Sequence, residues 1–399
     1  MKDLKHLIYF ENLLENNENE LIHQAKREGR KCLGTICYQL PEVLLNLPGC
    51  FSVRLRAPRT ASVEMGSYYM TSLSCEYCRA VLERALEGGY GFLDCIFDAY
   101  ACSQMTSCVE NIAHLKLIER DNPDFFVQHI DTPMKADENG VRHMVRMCRS
   151  RVLDKLEEEY GIDVSDDALR TAVEEHNHIC RLLNEIGSYR KLDNPTITGY
   201  EYTVLCLATY VAPKDLLLPK LEETAEELKT REPDAKPGHR VKVVLAGSEV
   251  DDPAFVKLIE ESGALIVADR HCFGTVPGRL EIPLNDEEDV LTQICRFTVE
   301  QCQCPRYMDS ARIAVRKKVL DELARENHAD GIVMQQMSFC NFWPYERAGM
   351  THILTEQYGW PVLSIEHSYV NGVSGQMRTR VQAFVESIEI KKIQGGGQA

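Results

Sequence analysis

Val241-Lys-Val-Val-Leu-Ala-Gly247 is a short apolar run that ends in glycine. Such a run, too short for a helix and apolar throughout, reads as a parallel strand buried on both faces. Outward from it the pattern repeats. Phe255 to Glu261 reads as helix, Ala264-Leu-Ile-Val-Ala268 as strand, and Ser310 to Asn327 as a long helix with Ile313, Val319, Leu320 and Leu323 at helical spacing. Gly331-Ile-Val-Met334 is a third strand, Tyr345 to Tyr358 a helix, Pro361-Val-Leu-Ser-Ile365 a fourth strand and Gln376 to Ile388 a closing helix. Strand alternating with helix across short links predicts a parallel, doubly wound sheet.

The N-terminal part shows the same rhythm. Strands are expected at Cys32 to Cys37, Phe51 to Leu55, Phe92 to Phe97 and Phe125 to Ile130, with helices at Pro41 to Leu47, Cys75 to Glu87 and Gln104 to Leu117. A polar helical section, Gly140 to Glu185, and a proline- and charge-rich link, Thr230 to Gly238, separate the two patterns. The expected fold class is α/β: two doubly wound, Rossmann- or flavodoxin-like parallel-sheet lobes with an intervening helical segment. Residues 1–139 form the first lobe, 140–238 the helical segment and linker, 239–392 the second lobe, and 393–399 a disordered tail.

A length of 399 residues agrees with two lobes, because single hydrophobic cores stop growing near about 250–300 residues. With 45 Lys+Arg against 61 Asp+Glu, the net charge of −16 argues against a nucleic-acid partner, whose phosphates need a cationic surface. No apolar run approaches the roughly 18–20 residues of a membrane span, and the charged stretch Met1 to Gln24 lacks a signal-peptide pattern. A cytoplasmic, reducing setting is expected.

Against that setting stand 16 cysteines. Under reducing conditions cysteines bind metal, react or pack in cores, and burial as a small hydrophobe is the commonest role. Cys95, Cys148, Cys180, Cys206 and Cys295 fall inside strand or helix runs and are assigned to packing. Ligands of parallel sheets bind beyond the carboxyl ends of the strands, so cysteines there are the candidates. Cys102 follows the third strand of the first lobe and Cys340 the third strand of the second. Cys75 opens the helix after the second strand, while Cys37 and Cys272 are secondary candidates at strand ends. Three thiolates converging between two lobes suit an iron–sulfur cluster or a soft metal, and only three ligands would leave one iron of a four-iron cluster open. Cys75-Glu-Tyr-Cys78 has dithiol or zinc spacing but no second such pair, since Cys302-Gln-Cys304 is too tight. The sequence lacks a phosphate loop, a nucleophile elbow and a His-Glu-x-x-His pair. His367, at a strand end, reads as a hydrogen-bonded structural residue before a proton carrier.

The stretch Gly34-Thr-Ile-Cys-Tyr-Gln-Leu-Pro-Glu42 with Val53-Arg-Leu55 resembles the opening of 2-hydroxyacyl-CoA dehydratase subunits and their benzoyl-CoA reductase relatives. Cys75-Glu-Tyr-Cys-Arg79 is similar to that family's first cluster-cysteine segment. Leu93-Asp94 leading to Cys102 is similar to the second, Ser338-Phe-Cys340 to the third, and Gly375-Gln-Met-Arg-Thr-Arg-Val-Gln-Ala-Phe384 to the C-terminal signature. The resemblance covers about residue 30 to the last helix. It implies Cys75, Cys102 and Cys340 as ligands of a [4Fe-4S] cluster, with Cys78 and Cys108 as near alternatives. Two positions depart from the pattern: Ser103 stands where aspartate is frequent, and Asn341-Phe342 where Asp-Pro is frequent.

The resemblance also implies a homologous second subunit in a heterodimer and a separate ATP-dependent iron–sulfur activator. It implies oxygen-sensitive, anaerobic chemistry on an acyl-CoA: one electron gives a ketyl radical that expels the 2-hydroxyl group, leading to a 2-enoyl-CoA, the work of a lyase. The open iron would act as a Lewis acid on a substrate oxygen. Glu42 is a candidate acid–base residue, weighed against a solvated carboxylate at a helix start. Alternatives are an oxidoreductase subunit reducing an aromatic acyl-CoA, and an electron-relay or scaffold subunit.

Overall fold

The computed structural model describes residues 2–235, 238–275 and 279–396. Its eight strands form two four-stranded parallel sheets. The first holds β1 (Lys31–Thr35), β2 (Cys50–Arg54), β3 (Cys95–Ala99) and β4 (Phe126–Ile130) in the order β2-β1-β3-β4. The second holds β5 (Val241–Gly247), β6 (Ala264–His271), β7 (Gly331–Met337) and β8 (Val362–His367) in the order β6-β5-β7-β8. The two-lobe α/β expectation holds, and both lobes share one topology. In each, the chain runs outward from the first strand and then crosses back, which opens a crevice at the carboxyl ends of the inner pair.

Gly247, the last residue of β5, lies in that crevice with φ +146°, and an added Cβ would sit 1.9 Å from Gln335 O on β7. Glycine is needed there because no side chain fits between the two inner strands. The first sheet departs from expectation at β3, which begins at Cys95 and not Phe92. Leu93 N closes a turn onto Tyr90 O (3.1 Å), and the Asp94 carboxylate accepts from Cys32 N at 2.7 Å, so pairing starts after this knot. The stretch after Pro41 forms only a 3-10 turn, Glu42–Leu45. Helices Leu7–Leu14, Glu20–Arg27, Glu64–Met70 and Val290–Gln301 carried no expectation.

Helices Glu138–Cys148, Asp166–Ser188, Gly199–Val211 and Lys214–Leu228 lie between the sheets in the chain, and their buried faces join the core of the first sheet. Phe273, Ile282, Ile294 and Val299, beyond β6, reach back into that same core. The second sheet has separate cores on its two faces, one around Val243, Ile259 and Val385 and the other around Val244, Leu320 and Ile332. The last helix is Gly375–Gly396, so residues 393–396 of the expected tail are helical. Residues 397–399 of that tail, and 236–237 of the expected link, lie outside the described residues.

Candidate functional site

Cys75 is the N-cap of helix Glu76–Leu86, Cys102 the N-cap of helix Ser103–His114, and Cys340 lies in the loop between β7 and helix Trp343–Glu356. Backbone and amide groups stitch the three loops together. Cys75 N donates to Gln104 Oε1 at 3.1 Å, and Glu76 N to Ser338 O at 3.1 Å. Cys340 N turns back onto Met337 O, helped by Phe339 at φ +61°, a left-handed conformation that a bulky residue adopts only under constraint. Asn341 Nδ2 donates to Ser103 Oγ at 3.2 Å, and Gln104 Nε2 to Asn341 Oδ1 at 3.4 Å. Ser103 and Asn341, the two positions expected to depart from the family pattern, thus bond to each other.

The thiols follow. Cys75 lies close enough to both Cys340 and Cys78 for its thiol to interact with theirs, and Cys102 is close enough to Cys340 to interact electrostatically. The structure brings all three sequence candidates together. Cys78 lies beside Cys75 and within electrostatic range of Cys102, while Cys108 is fully buried beneath. Burial pushes the Cys102 and Cys78 thiols up to about 12. The neighbouring Cys75 thiol is the chief reason that Cys340 rises well above the ordinary thiol value, with burial second. These thiols are held protonated at neutral pH, and a cation is what would ionise them, because metal binding displaces thiol protons. Among the described residues, no three or more His, Cys, Asp or Glu side chains are spaced to hold a single metal ion. An all-sulfur donor set from three separate loops instead fits a cluster, which spans more space than one ion.

The surroundings position rather than react. Arg79, buried, donates from Nε to Ser74 O at 2.9 Å and from a terminal nitrogen to Ser67 Oγ at 2.8 Å, fixing the approach to Cys75. His367 bonds through Nε2 to Gln335 Oε1 at 3.0 Å and stacks on Phe255, and burial lowers it to about 4. It is a neutral structural histidine. Glu42 Oε1 meets Lys214 Nζ at 2.5 Å and Ser52 Oγ at 2.9 Å. Burial opposes its ionisation, yet Lys214 and those bonds hold it below the ordinary carboxylate value.

Sequence reasoning missed a second gathering. Cys304, Cys302, Cys272 and Cys37 all lie within electrostatic range of Tyr38, and Gln39 Nε2 donates to Cys302 Sγ at 3.2 Å. Cys304 also acts on Cys102, so this group borders the first. The closely spaced pair Cys302-Gln-Cys304 was the available signal. The five cysteines assigned to packing, Cys95, Cys148, Cys180, Cys206 and Cys295, are all buried.

Two parallel α/β lobes whose loops meet around Cys75, Cys102 and Cys340 define the class of protein. A family model described as 2-hydroxyglutaryl-CoA dehydratase, D-component, matches residues 37–388, and the chain belongs to that family. The chain is 23% identical over 380 residues to the (R)-phenyllactyl-CoA dehydratase beta subunit of Clostridium sporogenes, covering 95% of this chain and 97% of that one. It is 23% identical to the beta subunit of (R)-2-hydroxyglutaryl-CoA dehydratase from Acidaminococcus fermentans, covering 92% and 95%. A benzoyl-CoA reductase subunit from Thauera aromatica is also similar, at 23% identity over 82% of each chain. Among the described residues, no helix is long and apolar enough to cross a membrane.

Proposed function

We propose that this chain is the [4Fe-4S] subunit of a cytoplasmic 2-hydroxyacyl-CoA dehydratase, with Cys75, Cys102 and Cys340 as the cluster ligands. The observation that carries the reading is the convergence of three cysteine loops, two following β3 and β7 and one opening helix Glu76–Leu86, where the two lobes meet. When bound, the cluster would supply single-electron chemistry and an open iron for a substrate oxygen. The protein's own residues hold the loops in register through Gln104, Ser338, Ser103 and Asn341, with Cys75 buried and Cys102 and Cys340 half-buried. The product of water loss is a 2-enoyl-CoA.

A second, homologous subunit and an ATP-hydrolysing activator complete this reading. The names of two relatives, each a beta subunit, support a complex of several subunits. Each cysteine loop also exposes a large apolar side chain beside its thiol: Leu73, Tyr100 and Phe339. These are suited to being covered by a partner.

Anaerobic purification of the full chain tests the cluster. About four iron and about four sulfide per chain are expected, lost in Cys102→Ala and Cys340→Ala. Iron-free anaerobic protein overturns the assignment, and loss only in Cys78→Ala would move a ligand. Turnover of a 2-hydroxyacyl-CoA but not benzoyl-CoA, with partner and activator present, separates dehydratase from ring reductase.

A further inference from the structure

Beside the cysteine cleft lies a cavity of about 70 Å³, beyond the carboxyl ends of β1 and β2 and lined by Cys37, Arg54, His176, Tyr210, Arg279 and Cys302, with Glu42 at its edge. Its charges do not balance. Lys214 is matched by Glu42 at 2.5 Å, and Arg54 by Glu249 at 3.3 Å. Arg279 is 7% exposed, and among the described residues no carboxylate pairs with it. Glu42 lies within its electrostatic range, but that carboxylate is bonded to Lys214. Among the described residues, the Arg279 side chain bonds from one terminal nitrogen to Thr209 Oγ1 at 3.2 Å and Cys206 O at 3.5 Å, and its Nε has no partner. The Tyr210 ring lies 4.5 Å from this guanidinium, and its hydroxyl, on a residue 3% exposed, is also without a partner among the described residues. His176 adds no charge, since burial lowers it to about 4.

A buried guanidinium is normally paired, because a dry interior penalises a lone charge. Here one positive charge and one buried hydroxyl, without a partner among the described residues, belong to side chains that border the same small cavity. We infer that this cavity binds a carboxylate, clasped by the Arg279 guanidinium and the Tyr210 hydroxyl. The planar fork of an arginine matches a carboxylate's two oxygens, and a single uncompensated charge favours a monoanion over a phosphate dianion. At about 70 Å³ the cavity is small, so it takes a carboxylate head and not a whole acyl chain. The carboxylate is therefore either a free small acid or the end of a longer molecule entering from the cleft past Cys37 and Cys302, which line the same cavity. The inference does not rest on the cluster or on turnover.

The test is thermal denaturation and calorimetric titration of the full chain in carboxylate-free buffer with acetate, glutaryl-CoA or butyryl-CoA. A saturable rise in Tm with acetate marks a site for a free acid. A rise with glutaryl-CoA, absent with acetate and with butyryl-CoA, places the carboxylate on an acyl chain. In either case Arg279→Met should remove the rise, and Tyr210→Phe, which breaks no bond in the free protein, should weaken binding about 3- to 10-fold, the scale of one hydrogen bond. Without ligand, Arg279→Met should melt at or above the wild-type temperature, since no carboxylate is orphaned. No rise with any probe, or equal rises with glutaryl-CoA and butyryl-CoA that survive Arg279→Met and Tyr210→Phe, overturns the inference. Such a failure leaves iron content, and with it the dehydratase reading, unaffected.

Discussion

Glu76 opens the helix that follows Cys75, and through it that helix grips the second lobe. Its Oε1 accepts from Ser368 Oγ at 2.8 Å and its Oε2 from Tyr369 N at 3.0 Å, both in the loop after β8. The residue is 7% exposed, so solvent screens these bonds little. Hydrogen bonds to a charged group contribute about 1.5–3 kcal/mol each, giving an upper bound of about 3–6 kcal/mol for the pair. Water entering the space left by Glu76→Ala recovers part of this, so a loss of about 2–4 kcal/mol is expected. Glu76→Gln keeps an acceptor for Tyr369 N and can donate to Ser368 Oγ, so it should lose about 1 kcal/mol. Unfolding entropy of about 2.1 cal/mol/K per residue gives about 0.8 kcal/mol/K if the 399-residue chain melts as one unit. Calorimetry should then show Tm falling by about 2–5 °C for alanine and about 1 °C for glutamine. Loosening this grip should also separate Cys75 from Cys340, so mild oxidation should link those two thiols less completely in Glu76→Ala. Equal melting of the two variants, or an alanine variant within about 1 °C of wild type with unchanged linkage, would refute the reasoning.

Gly247→Ala forces a methyl group to within 1.9 Å of Gln335 O at φ +146°. It should cost at least about 2 kcal/mol, read as a lower urea midpoint, and a loss under about 0.5 kcal/mol would contradict the geometry. The pH dependence of stability has two opposing parts. Burial lowers His176, His271 and His367 to about 4, so their contribution is full above about 6.5 and is lost as pH falls toward about 4. Burial raises Glu249 and Glu260 to about 7, so theirs is full below about 4.5 and is lost as pH rises toward about 7. Between about pH 4.5 and 6.5 three histidines oppose two glutamates, and these groups make stability fall on acidification by about 1.4 kcal/mol per pH unit. Urea midpoints across that range should show the slope, and His367→Gln should flatten it; an unchanged slope in that variant would contradict a neutral, buried His367.

The strands of the second lobe were legible because each is a short apolar run buried on both faces, as Val243, Val244, Ile266 and Ile332 are. Boundaries were less legible where tertiary pairing overrides local character. Gln335 and Gln336 are polar, yet they are buried in β7 because Gln335 serves Ser248 and His367. Phe92 and Leu93 are apolar, yet they lie in the turn before β3. Among the cysteines, position at strand ends narrowed the field, and the family resemblance chose within it. What no local reading supplied was the placing of Cys302 and Cys304 beside Cys37 and Cys272, since that depends on a segment of the second half returning to the first core. Arg279 was invisible for the same reason: its isolation is a property of the surrounding fold and not of its neighbours in sequence.

Ser103 and Asn341, expected as two separate departures from the family pattern, are in contact in the structure. They meet at 3.2 Å across the cleft, one on the helix after Cys102 and the other just past Cys340. Aspartates at both positions would bring two carboxylates together there, a repulsion that grows in a partly dry site. A hydroxyl and an amide form a neutral bond at the same place and add Gln104 to the chain of contacts that ends at Cys75 N. Serine and asparagine here therefore tie the three loops without placing negative charge beside the thiols. Fewer negative charges around a thiolate-bound cluster favour its reduced form, since cluster potentials follow net charge and hydrogen bonding. Under the proposed function, restoring Asp at Ser103 should lower the potential of the bound centre in an anaerobic redox titration, whereas Ser103→Ala, which breaks the bond without adding charge, should move it less.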